Sequence, residues 1–318
     1  MRLATRQMRA GIARIKHESA PSVSGRPYIG AAFRMIEPGS AIDLDPDLLP
    51  IADRALLRLL ARHGALTAAE PGQLVYADLR RSQEYVFRLY RAGLLERTPL
   101  SRQTPGRAEQ AYRLSPLGHQ RLGTRRVTAP ASYVRHSIDT ARAICALNRS
   151  DDREHGPVQL WFPDSMTGDV LSRFVRPDSI AVVTTDAGSA VLALEIDEGT
   201  EHMGMIRAKL AAYRRPLSRR PSWHLIVVVP GIPRAEWMVR QAVAVNLGER
   251  TWVVTHADLA RDSLDVILRP LDPGRSSAPI RSLLKPPHRW LPAPVGSRAW
   301  LELLATGGGE IDDGALAP

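Results

Sequence analysis

The sequence predicts an α/β protein in two parts, a basic helical part followed by a part in which strands and helices alternate. Apolar residues recur at helical spacing between Ile51 and Ala92, whereas the apolar runs after residue 157 are short, β-branched and bounded by Gly, Pro or Asp. Positive charge is unevenly distributed. Residues 1–130 hold 21 Lys and Arg against 11 Asp and Glu, and residues 131–318 hold 22 of each. The whole excess of +10 therefore lies in the first part.

Length and composition exclude several classes of protein. A chain of 318 residues is long enough for two domains with separate cores, and 44% hydrophobic with 24% charged residues is ordinary for a globular protein. No apolar run approaches the roughly 20 residues that span a bilayer. One cysteine, Cys145, excludes an internal disulfide and a thiolate zinc cluster, and we expect it to be a core residue. A cytoplasmic protein without a membrane partner is expected.

We predict four segments along the chain. Residues 1–44 are rich in Arg, Ser, Pro and Gly and are expected to form a basic flexible arm. Residues 45–130 form a helical domain, and residues 131–269 form a sheet domain. Residues 270–318 are a Pro- and Gly-rich tail, expected to be peripheral apart from one short helix around Trp300 to Leu304.

Three helices are predicted at the start of the second segment. The first begins near Ile51 and ends at His63-Gly64 as at a C-cap, and the second covers Glu70 to Tyr76 with Thr67 as its N-cap. The third runs from about Leu79 to Ala92. The residues of this third helix that we expect to face inward are Leu79, Val86, Leu89 and Tyr90.

A hairpin and a fourth helix follow. Gly93 to Arg97 enters one strand, Ala111 to Leu114 forms the other, and the loop between them is basic. Ser115 and Pro116 are typical of an N-cap and first position of the next helix. Three helices followed by a hairpin with a basic tip is the order of a winged helix-turn-helix.

In a winged helix the third helix enters the major groove of DNA and the wing contacts the backbone or the minor groove. Arg and Gln side chains pair with base edges or phosphates. Together with the positive charge, this predicts double-stranded DNA as the partner. The alternatives are a trihelical platform for protein interaction and a basic surface that serves solubility. The predicted DNA-binding residues are Arg80, Arg81, Gln83 and Arg88 on the helix, and Arg102 and Arg107 on the wing.

The third segment has the pattern of a mixed sheet with helices on its faces. The predicted order is a helix at Ser132–Leu147, strands at Val158–Phe162, Ser179–Thr185 and Ala190–Leu194, a helix at Glu201–Arg215, a strand at His224–Val229, a helix at Pro233–Leu247 and a strand at Thr251–Thr255.

Three carboxylates lie at the ends of two of these strands. Glu195 and Asp197 project from the same face of their strand, and Asp178 begins the neighbouring one. Charges at the end of an apolar strand are costly to bury unless they meet a metal, a cation or a substrate. The cluster is therefore the best candidate for a functional site. A satisfied polar network at the edge of the sheet is the alternative.

These residues carry a resemblance. Pro177-Asp178 followed by Glu195-Ile196-Asp197, in this order of elements, resembles the PD-(D/E)xK nuclease fold, the restriction-endonuclease-like core. The span from about Ile51 to Thr255 more specifically resembles the bacterial replication-relaxation family, which is known from plasmids and other mobile elements. The matching stretches are Gly93-Leu94-Leu95, Tyr112 to Gly118, Arg176-Pro177-Asp178, Leu194 to Glu201, and Lys209-Leu210 with Tyr213.

The nuclease resemblance implies a magnesium site. Asp178 and Glu195 would hold Mg²⁺, which polarises the scissile phosphate and lowers the pKa of the attacking water. A lysine two residues after the second carboxylate would orient that water, but this position is Asp197. Lys209 on the next helix could reach the same place. The implied catalytic residues are thus Asp178, Glu195, Asp197 and Lys209.

Two functions remain open at this stage. The chain is expected either to be a DNA-binding protein of a mobile element that acts in replication or copy control, with a degenerate nuclease-like domain, or to be a Mg²⁺-dependent endonuclease that the winged helix delivers. We favour the first because the lysine of the motif is missing. A protein-interaction adaptor is a further alternative. A second copy of the chain, or replication and mobilisation proteins, are the other expected partners.

Overall fold

The computed structural model describes residues 49–76, 78–100, 108–124, 131–149, 156–163, 175–220, 222–245, 247, 250–272, 274–285, 295 and 297–305. The predicted arm at 1–44 lies outside these residues, and so do Arg102 and Arg107 of the predicted wing.

The N-terminal part consists of helices and a small antiparallel hairpin, in the predicted order. Its elements are α1 (Ile51–His63), α2 (Ala69–Leu74), α3 (Leu79–Arg91), β1 (Leu95–Pro99), β2 (Gln110–Leu114) and α4 (Pro116–Leu122). Two caps start the helices. The Asp78 side chain accepts the N–H of Arg80 at 2.8 Å. The Ser115 hydroxyl accepts the N–H of Gly118 at 3.0 Å, which confirms the N-cap predicted there.

One inward-facing residue of α3 was predicted wrongly. Val86 and Leu89 are buried, but Leu79 is 51% exposed. The backbone of Leu79 packs closely on α2, since a Cβ at Gly72 would lie 3.0 Å from the Leu79 Cα. Its side chain therefore points away from the core, and Ser82 takes the buried position one turn later.

The second part is a seven-stranded mixed sheet with helices. Its elements are α5 (Ala131–Leu147), β3 (Val158–Pro163), β4 (Ser179–Thr185), β5 (Gly188–Ile196), α6 (Met203–Ser218), β6 (Trp223–Val229), α7 (Ile232–Val243), β7 (Thr251–Thr255), α8 (His256–Asp262), a 3₁₀ turn (Ser263–Asp265), β8 (Ile267–Pro270), β9 (Ala278–Pro279), a second 3₁₀ turn (Ile280–Leu283) and α9 (Arg298–Ala305).

The strands lie in sequence order across the sheet. β3, β4 and β5 are antiparallel neighbours, and β5, β6 and β7 are parallel. β8 is antiparallel to β7, and β9 is antiparallel to β8. The parallel pairs require crossover connections, which α6 and α7 provide. Ser179 pairs with Leu194, and Glu195 pairs with Val227. This register brings the starts of β4 and α6 to the end of β5.

Alternation along the strands divides the core between the two faces of the sheet. Ala181, Leu192 and Ile226 belong to an apolar cluster that also contains residues of α5 and of the N-terminal helices. Val191 and Val227 belong to a second cluster, with α6 and α7. Both faces are thus covered, which explains why the central strands are almost continuously hydrophobic.

The C-terminal tail is not peripheral where the structure describes it, and the sequence-based expectation was wrong there. Ile280 is fully buried and Trp300 is 2% exposed. Trp300 lies in the predicted short helix, observed as α9, which packs against α1. Pro and Gly interrupt the apolar residues of this stretch, so no periodic pattern beyond that helix was evident. None of the described helices is both long and apolar enough to cross a membrane.

Candidate functional site

The outer face of α3 is basic and polar. Arg80, Arg81, Gln83 and Arg91 are exposed, whereas Ser82, Val86 and Leu89 pack inward. Phe87 is also exposed, at 46%. The helix therefore presents arginine and glutamine side chains together on the surface of the N-terminal part, as predicted.

Arg88 is placed differently from the other predicted DNA-binding residues. Its guanidinium forms an ion pair with Asp53 of α1 and lies over the Tyr85 ring, 4.4 Å from the centroid. Asp53 is buried and also accepts the Tyr76 O–H at 2.8 Å. Burial raises the pKa of Asp53, although Arg88 and Tyr76 oppose that rise. Arg88 thus joins α3 to α1, and a base contact would compete with this ion pair.

Asp178, at the start of β4, is held from two sides. One carboxylate oxygen accepts the N–H of Ile196 at 2.7 Å, and the other lies 3.1 Å from His136 Nε2 of α5. Burial acts to raise the pKa of Asp178, but His136 and Lys209 outweigh it and lower the pKa. For His136 burial acts to lower the pKa, and Asp178 with Glu198 outweighs it and raises the pKa. The pair is therefore an ionic bridge between α5 and the sheet.

Glu195 is buried beneath α6. The Tyr213 O–H donates to one carboxylate oxygen, and the Lys209 ammonium contacts the other. Lys209 and Tyr213 are four residues apart on α6, so both side chains lie on the face that packs against the sheet. Burial and the nearby Asp178 raise the pKa of Glu195 well above its usual value, against Lys209 and Tyr213. Lys209 in turn has a raised pKa, because Glu195 and Asp178 outweigh its burial.

Asp197 projects from the same face as Glu195, as predicted, but its partner is a different residue. Arg234 at the start of α7 donates to its two oxygens, with Nε at 2.5 Å and Nη2 at 2.9 Å. Arg234 also donates to the Glu201 carbonyl at 2.9 Å and lies over the Trp237 ring. The three carboxylates therefore form two networks, Asp178 with Glu195 and Asp197 with Arg234.

Two cations of these networks, His136 and Arg234, were not predicted from the sequence. His136 lies in α5, between the buried Val134 and Ile138, and no feature of the helix marks it as a site residue. Arg234 lies in the first turn of α7, and α7 follows β6, the parallel neighbour of β5. That parallel pairing was the available signal, since it brings the segments after β5 and β6 to one edge of the sheet.

The carboxylates in this arrangement do not fit a magnesium ion. Both oxygens of Asp178 and both oxygens of Glu195 already contact a cationic, N–H or O–H group. Within the described ranges, no three His, Cys, Asp or Glu residues are grouped so that they could hold a metal. Magnesium binding would require Lys209 to leave Glu195, and it stays a prediction.

Comparison with known proteins assigns the chain to a family. The family model described as Replication-relaxation matches residues 57–229, more than half of the chain, from within α1 to the end of β6. Searches of curated proteins and of solved structures found no match. The family match covers α3, the β1–β2 hairpin and the carboxylates Asp178, Glu195 and Asp197, and it ends before Arg234. The chain belongs to the replication-relaxation family, and that membership implies a role in replication.

Proposed function

We propose that the chain is a DNA-binding protein that acts in the replication or copy control of a plasmid or other mobile element. In this proposal the N-terminal helices and hairpin act as a winged helix. The sheet part is a restriction-endonuclease-like scaffold that no longer cleaves DNA efficiently. The exposed row of Arg80, Arg81 and Gln83 on α3 carries the proposal.

The chemistry of α3 supports duplex DNA as the partner. Arginine pairs with guanine edges and with phosphates, and glutamine pairs with adenine. Arg80 and Arg81 are exposed at the N-terminal end of α3, which is the end of a recognition helix that approaches the bases. The positive balance of the first 130 residues adds sequence-independent attraction to phosphates.

The networks around the carboxylates support the proposal that the nuclease-like scaffold no longer cleaves DNA efficiently. Lys209 and Tyr213 contact the two carboxylate oxygens of Glu195, and Arg234 donates to Asp197. Asp197 stands at the position where a nuclease of this type has its lysine. Such buried pairs are costly to break. Their role in the proposal is to join α6 and α7 to the end of β5.

A Mg²⁺-dependent endonuclease is the second candidate, and one observation favours it. The ammonium of Lys209 reaches Glu195 from the neighbouring helix, so a lysine is present beside the second carboxylate even though the motif position is Asp197.

DNA binding is tested by fluorescence anisotropy with duplex DNA at several salt concentrations. We expect Arg80→Ala/Arg81→Ala to weaken binding at least tenfold. The matched control is Arg214→Ala/Arg219→Ala, which removes the same charge from exposed positions of α6 and its C-cap. Equal losses of affinity in the two variants would mean that the binding depends only on net charge and not on α3. Absence of duplex binding at moderate salt would favour a protein-interaction adaptor.

Cleavage is tested with supercoiled plasmid in Mg²⁺ or Mn²⁺, using the wild type and Glu195→Gln. The proposal expects no nicking above background in either protein. Metal-dependent nicking that Glu195→Gln abolishes would establish the endonuclease instead, provided that the variant still binds DNA.

A further inference from the structure

A cavity of about 540 Å³ opens beside the first residues of β6 and β7. His224 of β6 and Trp252 of β7 line it, together with Arg250, Arg275 and Lys285. His224 has the same strand parity as Ile226, which belongs to the α5 face of the sheet. Glu195 points to the opposite face, toward α6. The cavity is therefore separate from the acidic networks, and its volume is typical of a small-molecule site.

The lining of the cavity is strongly cationic. Arg250, Arg275 and Lys285 contribute three positive charges, and Ser276 contributes a hydroxyl group. The hydroxyl of Ser282, which also lines the cavity, donates to the Pro279 carbonyl at 2.7 Å. None of the described residues that line it is acidic. Surfaces that concentrate one sign of charge in a concave site attract ligands of the opposite sign. The lining thus selects an anion.

His224 adds a buried donor to this lining. The side chain is only 5% exposed, and its Nδ1 accepts the indole N–H of Trp252 at 3.3 Å. Burial and the charges of Arg250, Lys285 and Arg275 lower the pKa of His224 to about 4, so the ring is neutral at pH 7 and Nε2 carries the proton. This Nε2 has no hydrogen-bond partner among the described residues. A buried donor without a partner is costly, and His224 is one of the residues that line the cavity.

Backbone contacts hold the main chain of Lys285 and the guanidinium of Arg250. Lys285 forms a β-bridge with Ser189, with N···O distances of 2.7 and 3.1 Å. Gly188 makes this approach feasible, because its φ is +144° and a Cβ there would lie 2.0 Å from the Lys285 carbonyl oxygen. The guanidinium of Arg250 donates to the carbonyls of Leu217 and Arg220. The guanidinium of Arg250, fixed in this way, loses little freedom when an anion binds.

We propose that this cavity binds the terminal phosphate of a nucleotide, either as a free mononucleotide or at the 5′ end of a DNA strand. A phosphate monoester carries up to two negative charges and several acceptor oxygens. Arginine, lysine, hydroxyl and imidazole N–H groups provide matching charge and donors. The site does not depend on the winged helix, so it adds a second contact for nucleotide phosphate on the sheet part of the chain.

Isothermal titration calorimetry on the full chain tests the site with inorganic phosphate, dTMP and uncharged thymidine. We expect phosphate and dTMP to bind and thymidine not to bind. Lys285→Ala and Arg275→Ala change exposed residues and should fold normally, and each should weaken dTMP binding at least tenfold. Arg240→Ala, an exposed arginine of α7 outside the lining, is the control and should leave dTMP binding unchanged.

Oligonucleotides with a 5′-phosphate or a 5′-hydroxyl separate the two sources of the phosphate. Stronger binding of the phosphorylated strand, displaced by dTMP, assigns the site to a DNA end, and no preference between the strands assigns it to a free nucleotide. The proposal is overturned if phosphate and dTMP fail to bind at millimolar concentration, or if Lys285→Ala and Arg275→Ala bind them as the wild type does. Arg80→Ala/Arg81→Ala should still bind dTMP, which keeps this result distinct from the test of the winged helix.

Discussion

Arg234 contacts both carboxylate oxygens of Asp197, at 2.5 and 2.9 Å, and thereby joins the start of α7 to the end of β5. Both side chains are largely buried, with 17% and 3% of their surfaces exposed. Asp197 occupies the position at which the PD-(D/E)xK motif, which the sequence resembles, has its lysine. An aspartate there would add negative charge beside Glu195, and Arg234 neutralises it.

We expect Arg234→Ala to lower the free energy of unfolding by about 3–5 kcal/mol, because it leaves the Asp197 carboxylate buried without its cation. Urea denaturation at pH 7 measures the change. The control is Arg240→Ala on the exposed face of the same helix, which should stay within about 0.5 kcal/mol of the wild type. The double variant Arg234→Ala/Asp197→Ala should recover part of the loss. If Arg234→Ala were as stable as the control, another group or water would compensate the Asp197 carboxylate in the variant.

Lys209→Met should destabilise the protein more at pH 8 than at pH 5. Without the ammonium, the pKa of Glu195 rises further above its ordinary 4.5, so folding takes up a proton and stability is lost as the pH rises. We expect a loss of about 3 kcal/mol at pH 8, at the low end for a buried pair because Lys209 is one-third exposed. Urea curves at both pH values measure it. A loss of equal size at pH 5 and pH 8 would contradict a protonated Glu195 in the variant.

His63 makes stability depend on pH below neutrality. Its Nε2–H donates to the Ser137 carbonyl at 2.6 Å, and burial lowers its pKa from 6.5 to about 4. Its contribution is complete above pH 6.5 and is lost as the pH falls toward 4, because the unfolded chain then binds a proton that the folded chain excludes.

In His63→Gln the side-chain amide can still donate to the Ser137 carbonyl, but the group that titrates is removed. The variant should be less stable than the wild type at pH 7, and the difference should shrink by about 2 kcal/mol at pH 4.5. The contribution of His136 to the pH dependence of stability has the opposite sign, because its pKa is raised, and it cancels when the two proteins are compared. If the stability of the two proteins changed with pH in the same way, folding would not lower the pKa of His63.

Arg81→Ala should reduce the salt dependence of duplex binding if Arg81 contacts a phosphate. Each phosphate contact contributes about 0.9 to the slope of log K against log salt concentration, so the slope should fall by about that amount. Arg219→Ala, at the exposed C-cap of α6, should leave the slope unchanged. A loss of affinity without a change in slope would indicate that Arg81 contacts a base.

Trp300→Ala should lower the free energy of unfolding by about 3–5 kcal/mol, because the indole is 2% exposed and α9 packs on α1. Thermal or urea unfolding measures the loss, with Glu302→Ala on the same helix as the control. A change below about 1 kcal/mol would mean that the C-terminal helix is dispensable for the fold.

The order of helices and strands from α1 to β7 was predictable from local patterns, whereas α8, β8 and β9 were not predicted. The β-branched runs at Val158, Ser179 and His224, and the amphipathic spacing around Ile138 and Val86, are properties of a few neighbouring residues. The caps at Ser115 and Gly64 are equally local. The exposure of Leu79 and the burial of Trp300 were not predictable in this way, because each depends on a helix that is distant in the chain or on a close backbone contact.

The sequence by itself determined the order of elements up to β7, the concentration of positive charge in the first 130 residues and the family resemblance, since these depend on residue type and spacing. Strand parity also placed Glu195 and Asp197 on one face. Only the tertiary structure decided which cation each carboxylate meets. His136, Lys209 and Arg234 come from three different helices, and the crossing of those helices over the sheet selects the pairs. The cationic cavity around His224 has the same origin, because the chain returns to the start of β6 from residues about 50 to 60 positions later.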